Sequence, residues 1–199
     1  MRYIDFRQVF KTPIFTSQDI RLLATDITPS QLTMWQKQDY ITKIRGGVYL
    51  FNDAKDKITS EELSAVVIEP SYISLESALF KYNLIPEVIF ATTCITTKNT
   101  RTHNTYLGYF SYQHIKPDLY FGYTQQSGFF RPYLIAEPEK AILDFFYLHT
   151  QYKNIEDIKG LRIDMTTFYS LNQKKIDLYS QLFPSRIIRI IKLLRNQNA

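Results

Sequence analysis

The sequence has little of several residue types and segments, and each shortage excludes a class of protein. One cysteine, Cys94, occurs in 199 residues, so an internal disulfide is impossible and a reducing compartment is favoured. No apolar run reaches the length of about 18 residues that indicates a membrane-spanning helix. Residues 1–10 lack an apolar segment of signal-peptide length. We therefore expect a cytoplasmic protein that has no membrane partner.

Sequence motifs of common catalytic and metal sites are also missing. There is no glycine-rich phosphate loop, no H-E-x-x-H pair and no cysteine–histidine spacing typical of zinc. The histidines are scattered, and only His114 has a carboxylate, Asp118, close by in a predicted loop. We expect no enzyme, no cofactor and no metal ion. An enzyme with a site hidden in the second half stays an alternative, for which nucleotide turnover would be the sign.

The sequence is rich in aromatic side chains, and its charges are unevenly distributed along the chain. It contains 15 tyrosines and 14 phenylalanines, enough for a sizeable core. Net charge is +5, with balances of +3 in residues 1–52, −3 in residues 53–173 and +5 in residues 174–199. A basic start and a basic end around an acidic middle favour a polyanionic partner.

Two helix-capping patterns follow one another near the start of the chain. Thr16 and Thr28 have the residue type of N-caps, with Asp19 and Gln31 three positions later. A short turn at residues 25–27 separates the two predicted helices. With an N-terminal helix that carries three aromatic residues, this spacing predicts a helix-turn-helix.

The second of these helices has two chemically different faces. Leu32 and Trp35 share one face, which we expect to be buried. The opposite face follows the i, i+3, i+4, i+7 spacing and carries Ser30, Thr33, Met34 and Lys37. Because the DNA major groove admits one α-helix, we predict that Ser30, Thr33 and Lys37 contact base edges.

Two β-rich runs follow, "YITKIR" and "VYLF", joined through Gly46 and Gly47. Glycines tolerate the positive φ angles of a two-residue hairpin turn. Strand alternation places Lys43 and Arg45 on one face, which we expect to point outward as the phosphate-contacting wing of a winged helix. A solvated hairpin in a protein-docking module is the alternative.

The second half alternates helical and β-rich patterns. Residues 53–60 are expected as a linker, followed by helices in 60–70 and 72–86 and a helix that begins at Pro138. That last helix opens with Glu137, Glu139 and Lys140. The helix dipole favours carboxylates at this position, which accounts for them more simply than a role in acid–base chemistry does. Four β-segments are predicted in residues 88–97, 106–115, 119–124 and 129–136. The polar run 96–105 is expected as a loop, either solvated or in contact with a partner.

Three phrases of this half closely resemble the AbiEi-like antitoxin family: "PSYISLESALFKYNLIPE", "ITTKNTRTHNTYLGYFSYQHIKPDLYFGY" and "IAEPEKAILDFFYL". The resemblance runs from about residue 15 to 150. It implies a winged helix that represses its own operon at inverted repeats in the promoter. It also implies a second domain that counters a neighbouring nucleotidyltransferase-like toxin, without a stable complex. By position in the motif, the resemblance assigns the DNA-reading role to Ser30, Thr33, Lys37, Lys43 and Arg45.

The tail is predicted as two helices broken at Pro184, with Ser185 capping the second. Four apolar residues of that helix share one face, and four cations lie on the other: Arg186, Arg189, Lys192 and Arg195. We expect the tail to pack on the second domain and to add a phosphate-facing surface.

The sequence therefore predicts an α+β protein of two domains. Residues 1–52 would form a winged helix-turn-helix that binds double-stranded DNA. Residues 58–199 would form a mixed α/β antitoxin domain, with a small sheet flanked by helices and a helical C-terminus. The alternative function is a plain winged-helix regulator whose second domain senses a ligand or dimerises.

Overall fold

The computed structural model describes residues 1–23, 26–87 and 90–196, which form a mixed α+β fold. Within these ranges the strands form two sheets, of three and six strands. The first sheet has the order β1-β3-β2 and is antiparallel throughout. Its part of the chain contains α1 (Tyr3–Val9), β1 (Ile14–Thr16), α2 (Ser17–Leu22), α3 (Pro29–Lys37), β2 (Ile41–Arg45), β3 (Val48–Phe51) and a 3-10 helix (Asn52–Lys57).

Both predicted N-caps at the start of the chain and the predicted capping box of Thr28 and Gln31 are confirmed, and Thr16 and Asp19 form a capping box as well. The Thr16 hydroxyl accepts from the Asp19 N–H, and the Asp19 carboxylate accepts from the Thr16 N–H. The same reciprocal pair forms between Thr28 and Gln31. Each box satisfies N–H groups that lack a partner at a helix start, which is why α2 and α3 begin where they do. Thr25 of the predicted turn lies outside the described residues.

The hairpin of β2 and β3 turns at Gly46 and Gly47, as predicted. Of the two, Gly47 adopts the left-handed conformation, with φ of +77°. Its carbonyl accepts a hydrogen bond from the Ser17 N–H at 2.7 Å, so the hairpin tip is attached to the start of α2. The register shifts between Lys43 and Arg45, which marks a β-bulge at Ile44.

The second sheet has the order β6-β7-β5-β4-β9-β8. The β5–β7 and β4–β9 pairs are parallel and the others antiparallel. This half begins with α4 (Ser60–Val67), β4 (Ser71–Ile73), α5 (Leu75–Lys81), β5 (Ala91–Thr96), β6 (Arg101–Thr105) and β7 (Gly108–His114). It continues with a 3-10 turn (Pro117–Leu119), β8 (Tyr123–Gln126), β9 (Tyr133–Ala136), α6 (Pro138–Leu148), α7 (Ile155–Lys159), α8 (Met165–Ser170), α9 (Gln173–Ser180) and α10 (Ser185–Arg195).

Two of the six strands were predicted wrongly from the sequence. Residues 71–73, of which 72–73 were assigned to the helix predicted over 72–86, form the buried strand β4, and α5 begins only at Leu75. Part of the expected polar loop 96–105 is the edge strand β6. A short buried strand has no distinguishing periodicity, and a polar edge strand looks like a loop.

The middle strand of the first sheet, β3, is buried on both faces because its residues alternate between two cores. Tyr49 and Phe51 pack with Trp35 and the aromatic residues of α1. Val48 and Leu50 belong to the larger core that contains α4, α6 and the second sheet. The predicted linker is a 3-10 helix with Ala54 buried. The division into domains at residues 52 and 58 stays a prediction.

The C-terminal helices pack on the second half, as expected. The apolar face of α10 is buried at Ile187, Ile190, Ile191 and Leu194. Two of its predicted surface cations have partners within the chain. Arg186 donates to the Phe146 carbonyl at 2.5 Å, and Arg195 pairs with Asp177 at 2.8 Å. Ser185 is the first helical residue and makes no cap, since Pro184 holds the N-cap position.

Candidate nucleic-acid interface

Helix α3 presents one apolar face inward and one polar face outward. Trp35 is only 2% exposed and packs against Phe6 with ring centroids 4.9 Å apart. Ser30, Thr33 and Lys37 are all exposed on the opposite side. The predicted division of the helix into a buried and an exposed face is therefore confirmed. Their DNA contacts stay a prediction.

The hydrogen bonds at the start of α3 determine what its hydroxyls can offer. The Thr33 Oγ1 donates to the Pro29 carbonyl at 3.0 Å, so its proton is used within the helix and its lone pairs remain available. The Gln31 amide donates to the Met1 carbonyl at 3.1 Å while it completes the capping box. The first turn of α3 is therefore fixed before any partner arrives.

The turn between α3 and β2 holds the helix beside the hairpin. Asp39 has φ of +57°, and its backbone and side-chain oxygens both accept from the Asn52 amide. Tyr40 stacks on Tyr3 with ring centroids 4.5 Å apart, and its N–H donates to the Trp35 carbonyl. These contacts attach the end of α3 to the residue that follows β3, so the helix is held beside the hairpin.

The two cations of the hairpin lie in different environments. Lys43 is exposed. Arg45 is half-buried, and its Nη1 donates to the Val67 carbonyl at the end of α4. The expectation that both cations point outward on one face is therefore wrong for Arg45. The bulge at Ile44 breaks the two-residue alternation, and α4 supplies an acceptor on the side to which Arg45 turns.

Sequence reasoning missed a buried charged cluster in the second half. Lys140 and Asp144 are fully buried one turn apart on α6, and they form an ion pair. Asp144 also accepts from the hydroxyls of Tyr72 and Ser74, both at 2.9 Å. Burial raises the pKa of Asp144 and lowers that of Lys140. The i, i+4 spacing of a lysine and an aspartate was the available sequence signal.

The carboxylates at the start of α6 hold α9 in place. Glu137 accepts from Lys175 at 3.0 Å and from the Tyr179 hydroxyl at 2.7 Å. Glu139 accepts from the Asn172 N–H at 3.0 Å. These contacts explain the carboxylates by the packing of α9, in addition to the predicted helix dipole.

Two of the histidines have hydrogen-bond partners within the chain. His114 Nδ1 is paired with the Lys98 carbonyl at 3.1 Å. His149 Nε2 lies 3.2 Å from Glu76, and its Nδ1 lies 2.9 Å from the Phe145 carbonyl. Both nitrogens of His149 thus face acceptors, an arrangement that favours the imidazolium.

Cys94 and the metal-ligating side chains give no further site in the described ranges. Burial raises the pKa of the Cys94 thiol to about 12, so the thiolate is not populated at neutral pH. Over residues 1–23, 26–87 and 90–196, no three His, Cys, Asp or Glu side chains come together to hold a metal ion. In the same ranges, every helix is too short or too polar to cross a bilayer.

No protein-family profile matches the chain, and no curated protein matches it significantly. The resemblance to AbiEi-like antitoxins therefore rests on the sequence phrases quoted above.

Proposed function

We propose that residues 1–52 form a winged helix-turn-helix that binds double-stranded DNA. The observation that carries the proposal is the exposed face of α3, where Ser30, Thr33 and Lys37 project from a helix whose other face is fixed on an aromatic core. Side chains near the start of a recognition helix reach base edges in the major groove. Ser30 and Thr33 offer hydroxyl oxygens, and Lys37 offers a cation.

In this proposal the hairpin is the wing, and Lys43 is its phosphate contact. Lys43 is exposed on β2, and β2 follows α3 through the turn fixed by Asn52. Gly46 and Gly47 form the tip. Arg45 was predicted to share the phosphate contact, but its hydrogen bond to Val67 gives it a supporting role in the proposal. Backbone contacts of this kind set the position of a protein on DNA without reading sequence.

The resemblance extends the proposal to a biological role. The protein would be a cytoplasmic antitoxin that represses its own promoter at inverted repeats and counters a nucleotidyltransferase-like toxin encoded beside it. It would act without a cofactor and without catalysis of its own. Residues 58–199 would carry the antitoxin activity.

Charge reversal on the proposed interface tests DNA binding. Lys37→Glu and Lys43→Glu should each weaken binding to the upstream DNA by roughly tenfold or more and lower the salt dependence, because a phosphate-facing cation is lost. Lys174→Glu makes the same charge change on the exposed side of α9 and is the control. Unchanged affinity of both variants, with a native circular-dichroism spectrum, would show that this surface does not bind DNA.

Toxin rescue tests the second half of the proposal separately. Co-expression with the toxin encoded beside the gene should restore growth, and it should do so for the Lys37→Glu variant as well. A protein that binds its promoter but fails to restore growth would be a plain regulator. A groove between the hairpin tip and the connection from β5 to β6 favours that alternative, because a regulator that senses a ligand needs a cavity for it.

A further inference from the structure

A groove of about 560 Å³ lies between the hairpin tip and the connection from β5 to β6. One wall is the hairpin tip and the other is the start of the polar run that was expected to be a loop. The end of α4 forms the floor. The polar side chains that line the groove include Arg45, Glu69, Lys98, Asn99 and Arg101.

Positive charge exceeds negative charge in this groove. Arg45, Lys98 and Arg101 face it with only one carboxylate, Glu69. Over the described residues, none of the three cations forms an ion pair with a carboxylate. Their charge reaches a neighbour, since burial and the charges of Arg45 and Arg101 lower the pKa of His103.

Hydrogen bonds from neighbouring groups hold parts of both cationic walls. On the hairpin side, the Arg45 guanidinium is oriented by the Val67 carbonyl, which uses one of its five donors. On the sheet side, the Lys98 carbonyl accepts from the His114 ring, and the Lys98 N–H donates to the Thr96 hydroxyl at 3.1 Å. The Arg45 guanidinium and the Lys98 backbone are therefore positioned before a ligand enters, while the side chains of Lys98, Asn99 and Arg101 are exposed.

We propose that this groove binds a small ligand that carries phosphate groups, such as a nucleotide or pyrophosphate. Two guanidinium groups match phosphate oxygens with paired N–H donors, and Lys98 adds a point charge. The Asn99 amide lies in the same wall and offers both donor and acceptor. The volume lies in the range of about 300–1,000 Å³ that small-molecule sites occupy.

The ligand connects the two halves of the chain. Arg45 belongs to the hairpin of the first sheet, whereas Arg101 begins β6 of the second sheet and Lys98 lies in the connection that precedes it. A phosphate held by both sides reduces repulsion between these cations and ties the hairpin to the second sheet. This proposal does not depend on DNA binding, and each can fail without the other.

Isothermal titration calorimetry with pyrophosphate and with ATP, both in EDTA and about 0.1 M salt, tests the site. The native chain should bind each probe at one saturable site. Lys98→Glu with Arg101→Glu should weaken binding at least tenfold. The control, Lys159→Glu with Lys174→Glu, makes the same net-charge change at exposed positions of α7 and α9 and should bind like the native chain. If the charge-reversed groove variant fails to fold, Lys98→Gln with Arg101→Gln takes its place.

A second readout reports on the groove itself. Bound phosphate should raise the NMR-measured pKa of His103, because it offsets the charges of Arg45 and Arg101. Equal affinity in the native, groove and control proteins would overturn the proposal as non-specific charge attraction. So would the absence of saturable binding to either probe. If the groove substitutions weaken binding of a DNA oligonucleotide but neither small probe binds, the proposal is overturned in favour of a polymeric nucleic acid as the ligand.

Discussion

Lys140 and Asp144 place two charged side chains in the interior, where neither contacts solvent. The aspartate accepts from Lys140, Tyr72 and Ser74, and the Lys140 ammonium also donates to the Tyr72 hydroxyl at 3.0 Å. This network joins α6 to β4 and to the residue that precedes α5. A buried charge depends on such partners, because its transfer from water is costly.

Loss of the buried carboxylate should therefore destabilise the fold. Asp144→Ala leaves Lys140 without its counter-ion, and we expect the free energy of unfolding to fall by about 3–5 kcal/mol. Urea denaturation followed by circular dichroism measures this change. Asp5→Ala removes the carboxylate of the exposed Arg2–Asp5 pair and should leave the midpoint unchanged. A small loss for Asp144→Ala, equal to that of the control, would show that the network contributes nothing to stability.

His149 makes stability depend on pH. Burial alone would lower its pKa, but the hydrogen bond to Glu76 and the charge of Glu76 raise it above the unfolded value of about 6.5. The pKa of Glu76 is lowered in turn: burial opposes this shift, and it is outweighed by the hydrogen bond from His149 together with the charge of His149 and further hydrogen bonds from the backbone and Thr93. A raised histidine pKa contributes stability that is fully present below about pH 6.5 and is lost as pH rises through the folded pKa.

The comparison of the native chain with His149→Gln isolates this contribution. The difference in Tm between the two proteins should be largest near pH 6 and should shrink toward pH 9. Thermal melts at a series of pH values measure it, and the subtraction removes the contributions that the two proteins share. A Tm difference that stays constant over this range would contradict the assignment of the pair.

At the residue scale the sequence indicated exposure more reliably than orientation. The helical spacing of Ser30, Thr33 and Lys37 predicted their exposure, because the repeat of the α-helix places residues three, four and seven positions apart on the same face. The orientation of Arg45 was not predictable. It depends on a bulge and on a carbonyl that lies 22 residues further along the chain.

Helix starts are the elements that local sequence determines best. The capping boxes of α2 and α3 depend on residues three positions apart, so each could be identified without knowledge of the fold. The strands β4 and β6 depend on their neighbours in the sheet. β4 lies between β5 and β9, which come from distant parts of the sequence, and β6 is an edge strand paired only with β7.

The two caps provide a matched test of the proposed recognition helix. Thr28→Ala and Thr16→Ala should each lower the free energy of unfolding by about 1 kcal/mol, because each removes one N-cap. Only Thr28→Ala should also weaken binding to the upstream DNA, since it loosens the first turn of α3. Denaturation and fluorescence anisotropy on both variants give the comparison. Equal DNA affinity for the two variants would argue against α3 as the reading element.

At the scale of the whole molecule, the two halves pack against each other through β3. Its residues alternate between the aromatic core of residues 1–51 and the larger core of the second half. The α+β class and the helical C-terminus were predictable from pattern and composition. The shared core was not, because a linker-like composition at residues 53–60 suggested separation where the structure has a 3-10 helix.

The proposed function combines this architecture with the distribution of charge. The exposed residues of α3 and Lys43 belong to elements joined by the hydrogen-bonded turn at Asp39 and Tyr40, and the cationic groove lies beside the same hairpin. Of the four cations on α10, Arg186 and Arg195 are engaged within the chain, while Arg189 and Lys192 are exposed. A phosphate-facing role for the tail therefore rests on these last two.

The central claim is sequence-selective DNA binding by residues 1–52. The most direct measurement is fluorescence anisotropy of the full chain with its own upstream DNA and with a scrambled duplex, over a series of salt concentrations. The proposal predicts tight binding to the upstream DNA, much weaker binding to the scrambled duplex, and affinity that falls steeply with salt. Equal and weak binding to both duplexes would contradict it and would favour a protein-docking role for this part of the chain.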